Sequence, residues 1–295
     1  MRRRGGAPEL SIVMIVHQMR REAPRTLLSL SPGYQRNVGA GDYEVVVVEN
    51  GSTEPLSQPD VEASGPNVRY RAVDVGPSPA GAVNLGIGIA RGRHVGVLLD
   101  GARMVSPGMV HHALAALRLH DRAVVASLAW HLGPDHQLRS VADGYDRATE
   151  DGLLELIGWP ADGYRLFEVA SLAGSNEAGW FGPISESCCL FAPRTLFEEI
   201  GGYDERFDLP GGGLLNLDVF RTLSELPGAN VVVLLGEGSF HQLHGGAAAN
   251  ATTDRLPAYL AQYERIRGRP WSPPARPATY LGTMPPAALR FLGPC

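Results

Sequence analysis

Three apolar, β-branched runs in the first hundred residues constrain the fold of this chain most: Leu10 to Val16 (LSIVMIV), Tyr43 to Val48 (YEVVVV) and His94 to Leu99 (HVGVLL). None alternates strictly between apolar and polar residues. Each therefore reads as a strand covered on both faces, as in a parallel sheet between two helical layers. The segments Arg21 to Leu30, Gly81 to Ala90 and Met109 to Leu119 carry helical spacing, with Leu27, Leu28 and Leu30 on the apolar side of the first. Val68 to Val73 and Ala123 to Leu128 add two further strands. This β-α-β order predicts an α/β fold with a mostly parallel central sheet flanked by helices. In such sheets ligands sit beyond the carboxyl ends of the strands. Glu49 and Asp100 both stand at strand ends, so they are expected to line one crevice.

The second half is less regular. Residues 130 to 182 interleave polar stretches with Trp130, Tyr145, Trp159, Tyr164 and Trp180 without clear periodicity. Ser187 to Phe191 and Val231 to Leu235 read as strands, and Arg194 to Ile200 and Leu215 to Leu226 as helices. Residues 1–8 are expected to be a solvated tail containing the run Arg2 to Arg4, and 268–295 a Pro/Arg-rich extended tail. Between them lies one domain in two halves, 9–128 and 129–267.

Hydrophobic residues make up 44% and charged residues 19% of the 295, enough apolar matter for a sizeable core. All the basic residues are arginines, and the formal net charge of −5 excludes the concentrated basic face that nucleic-acid binding needs. Cys188, Cys189 and Cys295 offer no disulfide framework and no metal-ligand spacing, which points to a reducing cytoplasm. No stretch reaches the roughly 18 apolar residues of a membrane span. The segment Gly86 to Gly92 imitates a dinucleotide-binding glycine pattern, but Arg91 replaces a glycine and the segment precedes a strand instead of following one.

The motifs, taken in order, resemble family 2 glycosyltransferases of the GT-A fold. The matching residues are the opening strand Ser11 to Gln18, the turn Glu49-Asn50-Gly51-Ser52, the helix segment Ala82-Val83-Asn84-Leu85-Gly86, Leu98-Leu99-Asp100, and Gly201-Gly202-Tyr203-Asp204-Glu205-Arg206-Phe207. The resemblance covers roughly residues 9 to 250. It implies a nucleotide-sugar-binding first half, an acceptor-binding second half, and transfer of a sugar from a nucleotide-diphosphate donor to an acceptor hydroxyl, with inversion. The acceptor is not readable; a glycan, a natural product and a protein side chain are all compatible.

That resemblance assigns expected roles. Glu49 and Ser52, with His17 nearby, would hold the nucleoside, and Asn84 would touch the donor. The family's Asp-x-Asp is reduced here to Asp100-Gly101-Ala102, followed by Arg103. Two repairs are open: a divalent cation (Mn²⁺ or Mg²⁺) held by Asp100 with His241 and His244, or neutralisation of the diphosphate by Arg103 without metal. The glycine-rich run 236–246 that carries the histidines reads as a loop able to close over phosphates. A general base on the acceptor is normally Asp or Glu. The acidic pair expected before the acceptor-side helix is missing, which leaves Asp218 as first candidate, with Asp204, Glu205 and Glu186 behind it. Alternatives to an enzyme of this kind are a non-catalytic nucleotide-sugar or glycan-binding protein of the same fold, favoured by the lost carboxylates, and a nucleotidyltransferase. The latter is disfavoured because His17-Gln18-Met19-Arg20 is not glycine-rich.

Overall fold

The computed structural model describes residues 6–245 and 255–292; Arg2 to Arg4, Gly246 and Cys295 lie outside them. The first half runs β1 (Leu10–Val16), α1 (Ala23–Ser29), β2 (Tyr43–Asn50), α2 (Gln58–Ala63), β3 (Val68–Val73), α3 (Ala80–Ile89), β4 (His94–Leu98), β5 (Arg103–Val105), α4 (Met109–Leu119) and β6 (Ala123–Leu132). The second half adds α5 (Gln137–Ala142), α6 (Arg147–Leu156), β7 (Ala170–Leu172), β8 (Cys189–Pro193), α7 (Arg194–Glu199), α8 (Leu215–Glu225), β9 (Asn230–His241), α9 (Leu256–Arg267) and β10 (Ala278–Gly282).

Among the described residues, one sheet carries all ten strands. Its main path is β10-β9-β6-β8-β4-β1-β2-β3, with β5 on β9 and β7 on β6. β1, β2, β3 and β4 are mutually parallel, as are β6, β9 and β10, while β8 runs antiparallel between β4 and β6. The continuous apolar runs follow from this layering. Val13, Ile15, Val46 and Val48 face one core and Ile12, Met14, Val45 and Val47 the other, so no position of β1 or β2 faces solvent.

Two expectations need correction. Residues 236–241 are not part of a loop; they continue β9 to His241, pairing with both β6 and β5. Gly236 takes a left-handed φ of 71° where the chain kinks against Thr283, and the ladder to β6 resumes at Gly238, whose missing Cβ makes room for the Trp130 ring. The glycines thus serve a bent strand under an aromatic cluster. The segment beyond residue 268 also does more than trail: β10 adds an edge strand to the sheet. No helix among the described residues is long and apolar enough to cross a membrane.

Candidate active site

Asp100 stands just past the end of β4, where the chain folds over the end of β1. The turn needs glycine next: Gly101 donates its N–H to the Ile15 carbonyl at 2.7 Å, and a Cβ there would sit 2.8 Å from Val16 and 2.9 Å from that carbonyl. The Ala102 N–H then donates to Asp100 Oδ1 at 2.9 Å, which leaves Oδ2 as the free acceptor.

β9 delivers two imidazoles to Oδ2. His241 ends the strand and His244 folds back beside it, so that His241 Nε2 lies 2.9 Å and His244 Nε2 3.3 Å from Asp100 Oδ2, with the two nitrogens 3.0 Å apart. Both histidines are buried and the Asp100 side chain is 23% exposed, so the cluster opens to solvent on the carboxylate side. Burial alone would raise the Asp100 carboxyl, but His244 and His241 outweigh it and hold it well below the usual carboxylate range. Burial, helped by the Arg103 charge, lowers His241 to about 4, whereas Asp100 more than offsets burial at His244 and raises it.

The tautomer of His241 follows from its other neighbour. Nδ1 meets the Gln137 side-chain oxygen at 2.6 Å, and an amide oxygen can only accept, so Nδ1 carries the hydrogen. A neutral His241 therefore turns a lone pair toward Asp100 Oδ2. Such a convergence of acceptors calls for a positive centre. A proton on His244 satisfies one contact; a divalent cation satisfies all three. Separations near 3 Å are those of adjacent ligands around a small ion with bonds of about 2.1 Å. The backed imidazole is also how metal-binding histidines are normally oriented. The three side chains thus fit a divalent cation. With two nitrogens in the set, they suit Mn²⁺ or a later transition metal better than Mg²⁺.

Arg103 lies directly across β5–β9 from His241. Its Nε and Nη1 are buried without a hydrogen-bond partner among the described residues, although Asp100, Glu186 and Cys188 are near enough to act on its charge. Unused N–H groups on a guanidinium are chemically suited to an anion. Glu186 precedes β8, whose antiparallel register sets Cys189 beside Leu98 and so brings residues 186–188 next to the Asp100 turn. Its Oε2 accepts from Asn216 Nδ2 at 2.7 Å, an anchor at the start of α8 that residue order alone did not single out.

Other expected residues sit elsewhere. Asp218 is buried and bound by Arg267 through two parallel hydrogen bonds, one of them 2.6 Å from Nε to Oδ1. Asn84 is a tie between α3 and the turn at 203: its amide donates to the Tyr203 carbonyl and to Glu205, and accepts the Tyr203 N–H. Asn84, Glu205, Asp218 and Arg267 all line a cavity of about 720 Å³, and none of Asp100, His241 and His244 does.

At the nucleoside end, Glu49 is buried with both oxygens engaged, accepting from the Ser52 hydroxyl and from the Leu56 N–H. His17 is exposed, with Nδ1 2.7 Å from the Asn50 carbonyl, and the Gln18 N–H reaches Ser52 Oγ at 2.7 Å. These contacts join the ends of β1 and β2 into one rim of the crevice. Glu237 does not join the site; it is buried against Ser106, His112 and Tyr164.

The model of one protein family, glycosyl transferase family 2, matches residues 11–169, just over half of the chain. Among solved structures, residues 1–349 of TarS from S. aureus in complex with UDP-GlcNAc superpose with a TM-score of 0.54 at 11% identity, covering 88% of this chain and 65% of that one. The same TarS residues with UDP give 0.49 at 12% identity (88% and 63% covered), and without ligand 0.48 at 13% (87% and 65%). The chain thus spans a little under two thirds of TarS residues 1–349 and 38% of the longer TarS chain, and at such identities the likeness is one of fold. No curated protein matches its sequence.

Proposed function

The chain belongs to glycosyl transferase family 2, and from that premise we propose that it moves a sugar from a nucleoside-diphosphate donor to an acceptor hydroxyl with inversion at the anomeric carbon. The observation that carries this reading is the meeting of Asp100 Oδ2, His241 Nε2 and His244 Nε2 at the carboxyl end of the sheet. This is where an α/β fold binds a nucleotide. The histidines stand in this scheme for the second carboxylate of an Asp-x-Asp, whose place Ala102 holds here.

A divalent cation held by these three side chains would supply Lewis acidity toward the departing diphosphate. Charge arithmetic gives Arg103 its part. Asp100 cancels one charge of a divalent ion, which leaves one against the two negative charges of the donor diphosphate; the guanidinium supplies the second. Its unused N–H groups are donors for phosphate oxygens. Glu186 is the base in this scheme: Asn216 fixes Oε2, and Oε1 takes the proton from the acceptor hydroxyl. The acceptor oxygen then attacks the anomeric carbon opposite the diphosphate, which leaves with the electron pair of the broken C–O bond. Glu49, Ser52 and His17 border the nucleoside. TarS was crystallised with UDP-GlcNAc, so uridine donors are the first to test.

A second reading, a nucleotide-sugar- or glycan-binding protein without turnover, has its own support. Leucines, Leu214 and Leu215, stand at the start of α8 where an acidic pair was expected, and Asp218 is committed to Arg267. Calorimetric titration with UDP, GDP and dTDP, first with Mn²⁺ and then with EDTA, is the deciding experiment when paired with donor-turnover assays. Binding of one nucleotide that needs Mn²⁺, with turnover lost in Asp100→Asn, is expected. Binding that ignores EDTA transfers the diphosphate to Arg103; binding without turnover of any donor favours the second reading; no binding removes both.

A further inference from the structure

The metal-fitting cluster depends on where two consecutive peptide units, 242 and 243, are held. Gln242 is fastened to the first half: its N–H donates to the Ala102 carbonyl at 2.9 Å, and its side-chain amide reaches the Glu22 carbonyl at 3.1 Å. Leu243 is fastened to both halves, its N–H to the second and its carbonyl to the first. Its N–H donates to Glu150 Oε2 at 2.6 Å, and its carbonyl accepts from Arg21 Nη1 at 3.4 Å. Glu150 is fully buried in α6, and its other oxygen accepts from the same Arg21 nitrogen at 3.2 Å. Arg21 is itself spread over Glu22, Asp151 and the Arg147 carbonyl. Burial raises the Glu150 carboxyl, opposed by the Leu243 N–H and by Arg21, so a costly ionisable group is kept at this spot.

Leu243 is the residue before His244, and its N–H points to Glu150 while the His244 ring points to Asp100. After β9 ends at His241 there is no ladder left to fix the chain. The backbone direction at 243 decides whether the second imidazole meets Asp100 at all. We propose that Glu150 is a positioning residue for the cation site: by gripping the Leu243 N–H, it sets His244 as the third ligand and ties α6 of the second half to donor binding in the first. This rests on the metal-dependent reading above.

The distance to be tested is that single N–H to carboxylate bond, so the variants separate reach from charge. Mn²⁺ binding to the full chain is measured by electron paramagnetic resonance of the free ion in wild type, Glu150→Gln and Glu150→Leu, alongside thermal melts. Gln keeps an oxygen for the Leu243 N–H and is expected to bind Mn²⁺ within about threefold of wild type. Leu removes it and is expected to weaken Mn²⁺ by about tenfold or more, the range for losing a group behind a metal ligand. Activity should return at high Mn²⁺, so that the metal requirement rises while the saturated rate is kept. Glu150→Asp, which keeps the charge and shortens the reach, replaces Glu150→Leu in the comparison if that variant does not fold, with the same loss expected. Unchanged Mn²⁺ affinity in a destabilised Glu150→Leu, or equal losses in Gln and Leu, overturns the proposal. A wild-type chain that binds no Mn²⁺ overturns the metal reading itself, and this inference with it.

Discussion

Removing Arg267 should destabilise the protein without touching its chemistry. Asp218 lies in the first turn of α8 with its side chain 4% exposed, and Arg267, 25% exposed, is held across both of its oxygens. Breaking a buried pair by deleting one partner costs about 3–5 kcal/mol because the remaining charge stays buried. Arg267 also reaches Asp204 at 3.0 Å and is open enough for water to enter its place, so we expect about 2–3 kcal/mol for Arg267→Ala. With about 0.6 kcal/mol per kelvin of unfolding entropy for a chain this long, the melting temperature should fall by about 3–5 °C. Combining it with Asp218→Asn, which removes the stranded charge, should recover part of that loss. Calorimetric melts of the two single variants and the double variant measure these terms. In a transfer assay at 25 °C, Asp218→Asn should stay within about tenfold of wild type, whereas Glu186→Gln should lose at least about a hundredfold, the scale of general-base catalysis. An Asp218→Asn variant with an unchanged melt and a thousandfold slower reaction, beside an active Glu186→Gln, would refute the reasoning and return the base to Asp218.

Two smaller changes probe the scaffold. Gly101→Ala places a methyl 2.8 Å from Val16 and 2.9 Å from the Ile15 carbonyl, so the Asp100 turn must lift off β1. We expect a loss of about 1–3 kcal/mol in a urea titration and weaker Mn²⁺ binding than in Gly88→Ala, where the added methyl meets open space. At the opposite end of the sheet, Arg118, with Arg93 and against a smaller effect of burial, holds Glu9 at about 2, below its usual value of 4.5. A depressed carboxyl contributes stability above its unfolded value and loses it as pH falls toward the folded one. Glu9→Gln should therefore cost about 1 kcal/mol at pH 7, since both arginines are more than half exposed, and the gap from wild type should close between pH 5 and pH 2.

The first half was legible in the residues because its constraints are local. A strand covered on both faces is apolar over most of its length, so β1, β2 and β4 announce themselves, and Asp100 follows the end of the last. Where a residue's role is set by a distant partner, residue order carries no signal. Asp218 was the carboxylate nearest to an expected acidic pair, but its partner Arg267 follows 49 residues later, on a different helix. Glu150 looks like any acid in an amphipathic helix until α6 is laid against Arg21 and Leu243, 129 and 93 residues away. The histidines fall between these cases. Gly236 and Gly238 gave the run the look of a loop, whereas β9 carries His241 to its last position and the chain beyond turns His244 back beside it. That turn depends on Gln242 and Leu243 being gripped from opposite halves of the molecule. The two histidines are therefore visible in the residues themselves, and their meeting lies in the packing of α1 and α6 around the pair between them.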